Sequence, residues 1–277
     1  MESKELTIVI VTFMSESKLL SCLESIPKNI EVIIVENSNN KIFKSDIENK
    51  FKNIKCILTG ENKGYAVANN IGLKNVKTRY ALILNPDAIL EKNAISNFLD
   101  TAKKLENFWL IGPGNDQAKK YNFKKSEIIE VDSLRGFAIF FNLKKFQEQF
   151  FDENYFLYFE EIDLCKRVKK NNGNIYISKN IVINHEGASS VLIKKKIELE
   201  KNRNWHWMWS TFYFHKKYKG FFLALIIIFP KLISSFLKSV IYRFFSNQEK
   251  KEIYSSRLSG ILNSILGKKS WYRPPLD

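Results

Sequence analysis

Cysteine is scarce. The 277 residues hold three, Cys22, Cys56 and Cys165, odd in number and far apart. They build neither a disulfide framework nor a zinc-ligand spacing, which points to a reducing cytosol. No signal peptide is expected, because Met1 to Leu6 is polar and the apolar run after it is short and strand-like. No internal repeat is present. The glycine-containing loop at Asn62 to Gly64 is not followed by Gly-Lys-Ser/Thr, so it is not a Walker P-loop. Acids are short only in one place. Residues 201–277 carry 14 Lys or Arg against 3 acids, a net of +11, whereas residues 1–200 carry 30 against 26, a net of +4. With 45% hydrophobic residues, the chain has material for one large domain or two small ones.

The first 200 residues alternate strand and helix patterns. Leu6 to Phe13 is nearly continuous and β-branched, as a strand buried on both faces requires. Ser15 stands where a helix cap would, before Leu19, Leu20, Leu23 and Ile26 at helical spacing, and Pro27 closes that helix. Glu31 to Val35 and Lys55 to Leu58 read as strands, and Tyr65 to Leu73 begins a helix. Tyr80 to Leu84 is an apolar strand stopped at Asn85-Pro86-Asp87, because proline gives a sheet no donor. Glu91 to Leu105 reads as a helix and Phe108 to Ile111 as a strand ended by Gly112-Pro113-Gly114. Residues 115–127 form a polar, Lys-rich loop or hairpin, and Arg135 to Phe141 is strand-like. Phe159 to Lys170 is an amphipathic helix, followed by short strands at Asn174 to Ser178 and Ile181 to Asn184. This is an α/β pattern with a mostly parallel sheet.

The character changes after Ser190. Lys194 to Tyr218 reads as one helix, charged and then aromatic. Phe221 to Phe229 and Leu232 to Phe245 are apolar, with Pro230 and Lys231 between them. A membrane span needs roughly 20 apolar residues. The interruption, with Trp, Tyr and Lys flanking, favours an interfacial or re-entrant tail over a span, and a span over a soluble helical subdomain. Domains are therefore expected at 1–200 and 201–277.

Four constellations bear on chemistry. Glu36-Asn37 ends the second strand, where an acid can accept from a nucleobase or ribose. Asn62-Lys-Gly64 leads into a helix carrying Asn70 and Gly72, a place for a phosphate or base. Asp87 sits at a strand's C-terminal edge, where open α/β sheets place ligands and a carboxylate suits a hard divalent cation. Glu160, Glu161 and Asp163 crowd a helix start behind an aromatic run, and His185 lies between a strand and Gly187. On a helix Glu160 and Asp163 share a face while Glu161 points elsewhere.

Taken in order, I-V-I-V-T-F, V-E-N-S, N-K-G-Y-A-V-A-N-N-I-G, L-I-L-N-P-D-A, F-D-E-N-Y-F-L-Y-F-E-E-I-D-L-C-K-R and N-H-E-G-A-S-S resemble the family 2 glycosyltransferases of GT-A fold, especially the bacterial rhamnosyltransferase-like branch. The resemblance spans roughly residues 6–190 and implies inverting transfer from a nucleotide sugar. It implies donor contacts at Thr12, Glu36, Asn62, Gly64, Asn70, Asn85, Asp87 and Arg135. Asp87 and His185 would be ligands to Mg or Mn. Glu161 would be the general base, with Asp163 supporting it; the family more often has Asp at the positions of Glu36 and Glu161. dTDP-rhamnose is the implied donor, with a UDP-hexose or UDP-galactofuranose as rival. The implied acceptor is a polyprenyl-diphosphate-linked glycan at the cytoplasmic face of the plasma membrane, where the enzyme would be peripheral. A non-catalytic membrane scaffold is the rival from another class. Nucleic acid is not an expected partner, because continuous Phe, Ile and Leu in the basic tail fit lipid better than a duplex.

Overall fold

The β-branched run near the start of the chain forms the middle of a sheet. In the computed structural model, which describes residues 5–115, 121, 123, 126–147, 149–185 and 196–273, β1 (Leu6–Thr12) lies between β2 (Glu31–Glu36) and β4 (Tyr80–Leu84) and is parallel to both. Beyond β2 lies β3 (Ile54–Leu58), again parallel. On the other side β4 pairs antiparallel with β8 (Ala138–Asn142). β6 (Leu110–Pro113), β9 (Ile175–Ser178) and β7 (Ile128–Glu130) complete the order β3-β2-β1-β4-β8-β6-β9-β7. The parallel half is buried on both faces, which is why its strands carry Ile, Val and Leu without alternation.

Crossover helices α1 (Glu16–Glu24), α2 (Lys41–Lys50) and α3 (Gly64–Asn75) join the parallel strands. α3 approaches β1 closely at Gly72, where any Cβ would collide with Val9. α4 (Ala94–Leu105) places Ile95, Phe98, Leu99 and Ala102 in the core, and Phe98 stacks on Phe140 at 5.1 Å. A separate ribbon forms from β5 (Ala88–Leu90) and β10 (Ile183–His185), antiparallel.

The structure corrects several element assignments. α2 was not expected; Ile47 is its only buried residue, so its apolar face is too thin to register as a period. β5, β7 and the last helix, α8 (Gln248–Ile265), were also unexpected, the two strands because each is three residues long. Ser15 does not cap α1 through its side chain; its carbonyl receives Lys18 N and Leu19 N instead. Gly112 and Pro113 belong to β6 rather than ending it, with Pro113 as the final residue, where its missing N–H matters least. Most of the polar stretch at 115–127, the motif residues Glu186 to Ser190 and Lys194 lie outside the described residues.

The chain divides into two compact units. One is Met1–Asp152 with Glu161–Leu192, the other Glu153–Glu160 with Ile193–Asp277. The second contains α6 (Lys196–Lys219), α7 (Phe221–Phe244) and α8, each packed on the other two. α7 runs through Pro230 without a break, where two apolar segments were expected. Its core is Met208, Phe212, Ala224, Ile228 and Ile261. Gly260 lets α8 meet α6 at the Trp205 carbonyl.

Candidate active site

β4 ends at Leu84 and the chain turns through Asn85-Pro86-Asp87 into β5. Asn85 N donates to Phe137 O at 2.8 Å, and Ala88 N donates to Asn85 O at 3.1 Å, which fixes the turn. Antiparallel pairing then sets His185 opposite Ala88, one residue from Asp87. The result is a close pair, Asp87 Oδ1 and His185 Nε2, 3.3 Å apart. That distance suits an ion pair, yet neither atom has a hydrogen-bond partner among the described residues, because the direction is wrong for one. Asp87 is buried, and the His185 ring is held flat on Phe137, with centroids 4.4 Å apart and planes 5° apart. Two buried polar atoms left facing each other without a hydrogen bond are costly unless a third group joins them. Beneath the turn, Cys22 Sγ donates to Asn85 O at 3.6 Å, and burial, with the nearby Asp87 charge, pushes its thiol up to about 12.

The second element of the site is the end of β2. Glu36 is buried, and its carboxylate accepts from Ser38 Oγ at 2.6 Å and from Ser38 N and Asn40 N, both at 3.2 Å. Asn37 ties this loop to the next. Its Oδ1 accepts from Lys63 N at 3.0 Å, and its Nδ2 donates to Asn62 Oδ1 at 3.1 Å and Gly64 O at 3.3 Å. Asn62 Oδ1 also accepts from Gly64 N at 3.1 Å, and Gly64 takes a φ of 83° that a side chain would disfavour. Thr12 lies beside this knot at the end of β1. Its carbonyl accepts from Asn37 N, and its buried hydroxyl has no partner among the described residues. Asn70 is turned away from this loop. Its amide exchanges two 2.9 Å hydrogen bonds with the backbone of Phe151, which makes it a tether.

The third element is α5 (Glu160–Lys170). Glu160 and Asp163 are buried and Glu161 is half-buried, in keeping with their helical spacing. Asp163 Oδ2 accepts from Arg167 Nε at 2.8 Å, and Arg167 also donates to the Gln149 and Phe150 carbonyls. Asp163 is thus part of a buried clamp. Glu161 packs beside Gly136, where an added Cβ would meet its Cβ and Cγ at 3.6 and 3.7 Å and the Tyr65 hydroxyl at 3.7 Å. Tyr65 donates to the Gly136 carbonyl. Burial raises the Glu161 carboxyl above its ordinary range, opposed by the backbone N–H groups of Glu161 and Ile162. Phe137, the residue stacked on His185, follows Gly136 in the turn that leads into β8. One short segment, Arg135-Gly136-Phe137, therefore touches Glu161 on one side and the Asp87–His185 pair on the other. Arg135 is exposed on it.

A family model covers Thr12, Glu36, Asp87 and Glu161 of this site and ends before His185. The model of "Glycosyl transferase family 2" matches residues 7–165. The chain belongs to glycosyl transferase family 2. Among relatives of this family, the "Low-salt glycan biosynthesis hexosyltransferase Agl10" of Haloferax volcanii is 25% identical over 198 residues, 62% of this chain and 64% of its own. The "Teichoic acid poly(glycerol phosphate) polymerase" of Staphylococcus epidermidis is 29% identical over 149 residues, 51% of this chain and 20% of its own. The chain thus matches less than two thirds of either relative. The fold is shared with solved structures at low identity. The mannosyltransferase PcManGT of Pyrobaculum calidifontis, in complex with GDP-Man and Mn²⁺, superposes with a TM-score of 0.58 at 11% identity, over 96% of this chain and 88% of its own. TarS 1-349 of S. aureus, in complex with UDP, gives 0.53 at 13% identity, over 97% and 93%. The α/β sheet is therefore the GT-A fold of this family, followed by a helical region.

Sequence reasoning gave no role to Asn37, Tyr65, Phe137 or Arg167. Asn37 was noted only beside Glu36, Tyr65 only within the Asn62 to Gly72 motif, and Phe137 lies two residues beyond Arg135; Arg167 is four residues beyond Asp163 on one helix, a pairing the spacing alone suggests.

Proposed function

We propose that the chain is an inverting glycosyltransferase that moves a sugar from a nucleoside diphosphate to a hydroxyl of a membrane-held glycan. The observation that carries this reading is the buried Asp87–His185 pair, a carboxylate oxygen and an imidazole nitrogen 3.3 Å apart with no hydrogen bond among the described residues, just beyond the end of β4. A carboxylate oxygen and an imidazole nitrogen are donors that Mg²⁺ or Mn²⁺ accepts. No cluster of three or more His, Cys, Asp or Glu converges among the described residues, which fits a site completed by oxygens of the donor diphosphate. A divalent cation held there would supply positive charge to the leaving diphosphate.

The remaining steps belong to the protein. Glu161 takes the proton of the acceptor hydroxyl as that oxygen bonds to the anomeric carbon. The bond from that carbon to the phosphate oxygen breaks, and its electron pair leaves with the nucleoside diphosphate. One displacement with one base inverts the configuration. A carboxyl raised by burial is the stronger base for this. The Asn37 knot shapes the loop where Thr12, Glu36, Asn62 and Gly64 would face the nucleoside, and we assign the exposed Arg135 to the diphosphate or the acceptor. The Glu36 carboxylate already accepts three bonds within its own loop, so its part in reading the base is through one remaining lone-pair direction or through loop shape.

For the donor we keep dTDP-rhamnose, supported by Asn85-Pro86-Asp87 in place of an Asp-X-Asp pair. UDP- and GDP-sugars, named in the neighbours' complexes, are the competing donors. The relatives named for glycan biosynthesis and teichoic acid polymerisation support a glycan-type acceptor, which we take to be lipid-linked at the cytoplasmic face of the plasma membrane. The test is a panel of dTDP-, UDP- and GDP-sugars incubated with the full chain and Mn²⁺, scored by nucleotide release and the anomeric configuration of the product. Retention of configuration, or no release from any donor, would overturn it.

A further inference from the structure

Helix α7 has two faces of opposite character. Its buried residues, Ala224, Ile228 and Ser235, recur along one side at helical spacing. Opposite them runs an apolar stripe that includes Phe222, Ile226, Phe229, Ile233, Phe236 and Phe244. Phe222 and Phe244, near its two ends, are 80% and 82% exposed. At 100° per residue no charge falls within the stripe; Arg243 falls on its flank, while Lys231 and Lys238 lie on the opposite side toward α8, where Lys238 Nζ donates to the Tyr254 hydroxyl at 3.4 Å. Isolated exposed apolar residues need no explanation, but a continuous stripe along a whole helix marks an interaction surface.

We propose that α7 docks lengthwise on an anionic lipid bilayer, its stripe among the upper acyl chains and its flanking Arg243 at the headgroup phosphates. By length and composition the helix is able to cross a membrane, with 24 residues and a mean hydropathy of 2.0. Two features set it in the plane instead. Its buried side packs on α8, which carries Glu249, Lys250, Lys251, Glu252 and Arg257, and such charges do not follow a neighbour into hydrocarbon. Pro230 also lies on the exposed side and leaves the Ile226 carbonyl without its helical donor. Water or a headgroup serves that carbonyl directly at an interface, whereas inside the bilayer it would need a neighbouring helix or a trapped water. Charge selects lipid over a second copy of the chain, because two copies would bring a net +11 from residues 201–277 against another +11.

This deepens the membrane residence proposed above, and its test reads binding alone. A chain that binds vesicles but moves no sugar would refute the transferase reading and leave this one standing. A chain that moves sugar to a soluble acceptor but ignores vesicles would do the reverse. The full chain carries single nitroxide labels through Phe222→Cys, Phe229→Cys, Phe236→Cys or Phe244→Cys; its native thiols are all buried. Vesicles are phosphatidylcholine with or without phosphatidylglycerol. Binding is expected only with phosphatidylglycerol, and Arg243→Gln should weaken it about fivefold. All four labels should report one shallow depth. A graded profile, with Phe229 and Phe236 deepest and the ends aqueous, would mean a span and overturn the proposal. So would a folded chain, verified by circular dichroism, that ignores both vesicle types or that hides the labels in a dimer of doubled sedimenting mass.

Discussion

Replacing Asp163 by alanine separates a structural acid from a catalytic one. The Asp163 side chain is fully buried and its Oδ2 holds Arg167 Nε at 2.8 Å, while the Arg167 side chain is 26% exposed. Removing one partner of a buried pair costs about 3–5 kcal/mol, because the other charge is left uncompensated. The low end applies here, since Arg167 reaches solvent and keeps its bonds to the Gln149 and Phe150 carbonyls. A loss of about 3 kcal/mol from a total of about 5–15 is severe but leaves a measurable folded state. At about 2–4 °C per kcal/mol for a unit of this size, the melting temperature should fall by about 6–12 °C. Thermal melts followed by circular dichroism read the shift, and initial rates taken well below the new midpoint read turnover. The clamp predicts a large melting shift with turnover changed less than tenfold. An unchanged melting temperature with turnover lost by more than 100-fold would refute it and make Asp163 the base.

Glu161→Gln should do the opposite, lowering turnover by roughly 10²–10⁴-fold while donor binding, read by calorimetry, is kept. Because burial raises the folded-state Glu161 carboxyl, the folded form favours the protonated acid. Its contribution to stability is present below the ordinary glutamate range and is lost as pH rises through the raised value, so Glu161→Gln should melt no lower than wild type at neutral pH. The same shift places the acidic limb of the rate–pH profile above the ordinary glutamate range, which a pH series of initial rates checks. His206 is buried between Ser270 and Tyr272, and burial lowers it from 6.5 to about 3. That stability is present above pH 6.5 and drains away as pH falls toward 3, so melts at neutral and acidic pH should converge for wild type and His206→Gln. Gly72→Ala should cost about 1–3 kcal/mol in urea denaturation by forcing Val9 aside.

The sequence was most legible where burial was complete. Tyr80–Leu84 coincides with β4 to the residue, and β1 differs only by Phe13, because strands buried on both faces leave no ambiguity of period. The α/β class followed from those strands. Three of the missed elements were short or thin: α2 buries only Ile47, and β5 and β7 have three residues each; α8, 18 residues long, escaped because its buried face is Ser256, Gly260 and Ser264 with Ile261, too polar to read as an apolar stripe. The omission of β5 matters for the site. Asp87 and His185 were paired through family resemblance, but the ladder that places them 3.3 Å apart is β5 with β10, a non-local pairing that no local pattern encodes. Asn70 shows the converse. It stands in a recognisable motif, yet its amide is engaged with Phe151, 81 residues away, a contact that only the folded chain reveals. Among the crowded acids, helical spacing correctly set Glu161 apart from Glu160 and Asp163, and it also contained the Asp163–Arg167 pair, four residues apart, that was overlooked.

The account turns on Asp87 and His185 holding a divalent cation together with a nucleoside diphosphate. Calorimetric titration of UDP, GDP and dTDP into the full chain, with Mn²⁺ and after EDTA, tests this directly, with Asp87→Ala and His185→Ala alongside. At least one diphosphate should bind only in the presence of Mn²⁺, and both variants should lose that binding while melting close to wild type. If EDTA-treated protein binds the same diphosphate equally well, or Asp87→Ala keeps the Mn²⁺-dependent heat, the pair is not the cation site and the central claim is wrong.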